Sequence, residues 1–158
     1  MSRMAWFQRE RDPAGRPHDP AGPGDEKDAL LADLAGLRRF LNQYADRLPT
    51  ESAVTAHQIG DVLRGVVDAA GSAGDRPLDA HTAVRLQGFL TDYVPTTVRS
   101  YLAVAHDRMS EELLRDQLTS LLEEAEKVAQ SARSHDSDAL LTQGTFLRTK
   151  FSRSDLDL

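Results

Sequence analysis

The chain of 158 residues has no cysteine, only three lysines, one tryptophan and no apolar run long enough to cross a membrane. The missing cysteine excludes disulfides, thiolate zinc sites and cysteine nucleophiles, and makes a reducing, cytoplasmic setting the expectation. The N-terminal MSRMAWFQRER lacks the long apolar segment of a signal peptide, so neither export nor membrane spanning is expected. A glycine-rich phosphate loop, a Walker lysine and a Gly-x-Ser-x-Gly elbow are all wanting, which removes the usual frames of kinases and α/β-hydrolases. No run alternates polar with β-branched apolar residues, so a sheet has no source of strands. The lysines (Lys27, Lys127, Lys150) are outnumbered by arginine, and alanine is abundant. That bias reads as a high-GC bacterial coding style rather than as chemistry.

The formal charge is −6 and is unevenly spread. Residues 1–24 hold Arg3, Arg9, Arg11 and Arg16 against Glu10, Asp12 and Asp19, so the tail is mildly basic and the remainder acidic. An acidic body argues against affinity won by neutralising phosphates, and no nucleic-acid partner is expected.

What is present is helical patterning. Residues 12–24, DPAGRPHDPAGPG, can neither propagate a helix nor bury surface, and read as a linker within a disordered tail over residues 1–24. From residue 25, Leu30, Leu34, Leu37, Leu41, Tyr44 and Leu48 step by four and three along one helix that Pro49 helps to end. Thr50 is an expected N-cap for a second helix carrying Val54, Ile59, Val62, Leu63 and Val66. Asp79 is an expected N-cap for a third, through Val84, Leu86, Phe89 and Leu90. Pro95 should divide that helix from a shorter one with Val98, Tyr101 and Leu102. Ser110 is expected to cap the strongest helix, with Leu114, Leu118, Leu121, Ala125, Val128 and Ala132 on one stripe. A polar turn at residues 135–138 should precede a last helix bringing Leu140, Gly144, Leu147 and Phe151 to one side. The expectation is an all-α protein: one bundle of about five or six helices over residues 25–152, with a short tail at 153–158. The two leucine stripes could pair inside one molecule or between two, the bundle being the favoured use and a homodimer the other.

Few side chains gather into chemistry. His57, His106, Asp107 and Asp138 resemble in kind the metal set of HD-domain phosphohydrolases, with His106-Asp107 as the eponymous pair. His57 and Asp61, four apart on one helix, and Asp79 with His81 make two-residue groups, too few for a site. No resident metal or cofactor is expected. At the N-terminal tip, Met1, Met4, Trp6 and Phe7 interleave with Arg3, Arg9 and Arg11. Such a segment suits docking in a partner's groove or, less readily, lying on an anionic membrane surface. Met4, Trp6, Phe7 and Arg9 are its candidate partner-binding residues.

The run DYVPTTVRSYL at residues 92–102 resembles a motif of a bacterial helical family named for bromochloroindolyl phosphate hydrolysis. The likeness continues through LLEEAEKVAQSARSHDSDALLTQGTFLRTKF and covers about residues 80–151. Tyr93, Pro95, Thr97 and Tyr101 carry it. The resemblance implies association with toxic-anion (tellurite-type) stress proteins and no defined active site, since the family's name reflects a phenotype. Physically, Pro95 should set the angle between two short helices, and the two tyrosines can bury rings while keeping hydroxyls at a rim. The resulting expectation is a non-enzymatic interaction or adaptor protein of envelope or toxic-anion stress physiology, with an HD-type metal-dependent phosphohydrolase as the alternative.

Overall fold

The computed structural model describes residues 22–72 and 78–154; the tip residues Met4, Trp6, Phe7 and Arg9 and residues 155–158 lie outside the described residues. Helix α1 spans Pro23–Tyr44, so residues 23 and 24, expected in the linker, belong to its first turn. Proline is favoured there, because its missing N–H would go unpaired anyway and its fixed φ is already helical. Asp25 and Glu26 follow in the same turn, where the helix dipole favours acids. Leu30, Leu34, Leu37 and Leu41 form the buried stripe, and Leu34, the most exposed of them, retains 7%. A 3₁₀ turn at Ala45–Arg47 closes the helix, and the proline at 49 holds Leu48 extended at φ −101° and ψ 146°.

Helix α2, Thr50–Ser72, starts at the predicted place with a different cap. Ala53 N–H donates to the Pro49 carbonyl at 2.9 Å, so Thr50 is already inside the first turn. Ala56, Ile59, Leu63, Val66 and Val67 face the core, whereas Val54, expected among them, is 51% exposed. Helix α3, Ala80–Gly88, is capped as expected: Asp79 accepts from Thr82 N–H at 2.9 Å and from the Thr82 hydroxyl at 2.6 Å. Val84 on this helix, also assigned to the core by its spacing, is 67% exposed. A π turn, Phe89–Tyr93, leads without interruption into α4, Val94–Leu102. Helix α5 runs from Arg108 to Ser154, 47 residues, or roughly 70 Å at 1.5 Å per residue.

Counting α3, the π turn and α4 as one continuous column, the described residues make four helical columns and no strand. The all-α class is as expected; the count of five to six is corrected to four. One reason is that residues 135–138 do not break α5. They include neither glycine nor proline, and a polar segment marks an exposed stretch of helix as readily as a turn. The other is that Pro95 enters the first turn of α4, where the column continues through a π turn rather than ending.

At the start of α5, Asp107 takes the capping role expected of Ser110. Ser110 N–H donates to the Asp107 carboxylate at 2.8 Å, and Asp107 N–H donates back to the Ser110 hydroxyl at 3.0 Å, a reciprocal capping pair. The hydrogen bond from the Ser110 N–H first, and the Ser110 side chain second, hold the Asp107 carboxyl below the ordinary carboxylate range.

Glu51, early in α2, pairs with Arg115, early in α5, at 3.1 Å. Farther along both helices, Val62 shares a hollow with Gln130 and Arg133. These two helices therefore run in the same direction, with α1 and the α3–α4 column running against them. Ile59, Leu63, Leu86, Val94, Val98, Leu114 and Leu118 are the fully enclosed centre. Each such side chain contributes about 1.5–3 kcal/mol by leaving water.

A candidate docking groove beside the π turn

Pro95 has no N–H, so the carbonyl four residues before it lacks an α-helical donor. The chain answers by widening: Val94 N–H donates to the Phe89 carbonyl, five residues back, which is the π pattern. The extra residue lets the buried positions step from Leu90 to Val94 to Val98 without losing the core. It also turns Tyr93 outward, to 50% exposure. Sites of this kind, where a π turn re-aims one side chain, are frequently functional.

The Tyr93 ring is held in place. It meets Phe89 edge-on, with centroids 5.6 Å apart and planes at 87°. On its other side it lies over Gly88, where an added Cβ would come within 3.1 Å of Tyr93 Cε2. Glycine here leaves room for the ring.

Asp92, Tyr93, Thr96 and Thr97 form one wall of a hollow of about 530 Å³; Asp116, Gln117, Ser120, Leu121 and Glu124 of α5 form the other. The Thr96 hydroxyl donates to the Asp92 carboxylate at 3.1 Å. Glu124 is held below the ordinary glutamate range by the hydrogen bond from Lys127, at 2.6 Å, and by the nearby charges of Lys127 and Arg85, the latter at 3.5 Å. The groove thus presents an aromatic face and Leu121 between three acidic residues, one already neutralised.

The four motif residues divide by role. Tyr93 and Thr97 line the groove, Pro95 is buried beneath it, and Tyr101 is buried at the far end of α4. Tyr101 stacks on His106, rings 4.6 Å apart and 6° from parallel, and burial pushes its hydroxyl pKa up. The ring that is buried as expected is therefore that of Tyr101, whereas Tyr93 stands half-exposed.

A second hollow, about 410 Å³, lies between α1 and α2 and contains the His57 and Asp61 pair with Arg38, Asn42 and Arg64. The HD-like set is not assembled. His57 lies in this hollow, His106 and Asp107 in the connection before α5, and Asp138 far along α5. No group of three or more His, Cys, Asp or Glu among the described residues could hold a metal ion. No helix among them is long and apolar enough to cross a membrane. The α5 wall of the groove was missed in the sequence, where Asp116, Gln117 and Ser120 belong to no motif. In comparisons with protein-family models, curated proteins and solved structures, the chain matches none.

Proposed function

We propose that this chain is a non-enzymatic protein-interaction module whose groove beside the π turn receives a segment of another protein. The supporting observation is Tyr93: a half-exposed aromatic ring fixed between Gly88 and Phe89, at the edge of a preformed hollow. Rigid aromatic side chains of this kind are typical anchors of binding energy. The carboxylates of Asp92 and Asp116 give the groove a preference for a segment that pairs an apolar side chain with arginine or lysine. The N-terminal tip, with Met4, Trp6, Phe7 and Arg9, supplies a second contact to the same or another partner. The DYVPTT resemblance supports a place for this module beside toxic-anion stress proteins.

The test is affinity capture from the native host with the full chain, compared with Tyr93→Ala, Asp116→Lys and a chain lacking residues 1–11. A partner retained by the parent and lost with Tyr93→Ala, while circular dichroism remains helical, supports the groove. Equal recovery with all three variants refutes the reading. A tellurite challenge of cells with and without the protein tests the stress connection, and unchanged sensitivity removes it.

A further inference from the structure

We infer that residues 3–11 of this chain seat in its own groove beside the π turn, so that an outside segment must displace them; the inference rests on the reading of that groove as a docking site. The groove offers the Tyr93 ring and Leu121 as its apolar part, with the Asp92 and Asp116 carboxylates beside them. Among the described residues neither carboxylate is paired with a base. The occupant it fits is therefore an apolar side chain with cations close on either side. The chain carries such a segment: Trp6 and Phe7 stand between Arg3 and the pair Arg9 and Arg11, against a single acid, Glu10. No other stretch of the sequence sets two adjacent aromatics among arginines.

The tether is long enough. The Arg99 guanidinium lies over the Phe40 ring, 4.9 Å from its centroid, which sets α4 and α1 level at those residues. The two helices run in the same direction, so Tyr93 to Thr97 stand level with residues 34–38 of α1, roughly 20 Å along the axis from Pro23. Crossing one or two helix spacings to the side shared with α5 makes the distance roughly 25–30 Å. Residues 8–21 join Phe7 to Gly22 and can span roughly 45–50 Å. A tether with this slack holds its segment at an effective concentration of about 1 mM. A contact of about 0.1 mM affinity then keeps the segment seated roughly nine-tenths of the time, and weakens a competing segment about tenfold.

Trp6 is the chain's one tryptophan, so its fluorescence reports on this segment alone. In the full chain its emission should be blue-shifted, and its quenching by acrylamide weaker, than in a synthetic peptide of residues 1–11. Tyr93→Ala and Asp116→Lys should each return both signals to those of the peptide while circular dichroism remains helical. Asp116 is exposed, so the second variant keeps the test decisive if the first unfolds the chain. The same peptide, labelled, should bind a chain lacking residues 1–11 about tenfold more tightly than the full chain. A parent whose Trp6 signals equal the peptide's overturns the inference, as does a shielded Trp6 indifferent to both substitutions. Shielding that grows with protein concentration also overturns it, since the segment would then seat on a second copy. A partner captured by the parent and lost with Tyr93→Ala would stand in each of those cases, so failure here and failure of the groove are read separately.

Discussion

Helix α5 contains two halves of opposite character on one continuous backbone. Its first half presents Leu114, Leu118, Ala125, Val128 and Ala129 to α2 and to the α3–α4 column, with these residues almost fully enclosed. Along its second half the sequence repeats a similar apolar spacing, and the described side chains between Arg133 and Thr145 are exposed. Periodicity therefore reports that a helix has an apolar face; whether the same molecule covers that face depends on the lengths of its neighbours. Here α2 has 23 residues and α5 has 47.

Substitutions matched across the two halves make this contrast measurable. Leu118→Ala removes a side chain with 0% exposure and should cost about 2–5 kcal/mol in denaturant unfolding, through lost transfer energy and the cavity left behind. At the boundary, Asp79→Ala removes the cap of α3 and should cost about 1 kcal/mol. That loss depends on pH with a definite sign. The Asp79 carboxyl is held below its ordinary range by the Thr82 hydroxyl, then by Thr82 N–H, with His135 and His81 nearby. Its stabilisation is therefore complete above the ordinary carboxylate pKa and disappears as pH falls through the lowered one. Parent and variant unfolding energies should converge in acid, and a gap that stayed constant to pH about 2 would contradict the assignment. Arg115→Ala breaks the exposed pair with Glu51 that ties α2 to α5; about 0.5 kcal/mol or less is expected, and less still in high salt. Leu141→Ala, at a side chain 70% exposed, should leave the unfolding energy unchanged to within about 0.5 kcal/mol.

The fold was legible where a residue's local signal and its tertiary role agree. Leu30, Leu34, Leu37 and Leu41 announce a buried stripe by spacing and are buried. Asp79 announces a cap by type, and two hydrogen bonds from Thr82 fulfil it. Legibility failed where several residues could serve. Asp107 and Ser110 are both good caps, and they cap together. Val54 and Val84 fit an apolar face by type, but the core lies on the other side of their helices. The π turn has no pattern of its own; Pro95 signals a disturbance without saying whether the chain bends, breaks or widens. The groove was half legible for the same reason. Tyr93 and Thr97 are conspicuous in the sequence, while the opposite wall exists only because α5 packs antiparallel to α4.

The widened turn at Phe89–Tyr93 is, in effect, one residue inserted into an otherwise regular helix. Loss of one residue elsewhere, for example within α2, would rotate everything beyond it by about 100° and scramble which side chains face the core. Loss of Thr91 would instead let the turn close to the ordinary pitch and leave the faces of α3 and α4 in place. Pro95 is the obstacle, since in a regular helix its ring meets the carbonyl four residues earlier at a cost of about 3 kcal/mol. Deleting Thr91 together with Pro95→Ala should therefore yield a regular, folded helix in which the aromatic ring no longer stands out. Such a chain would be an isostructural bundle without its groove.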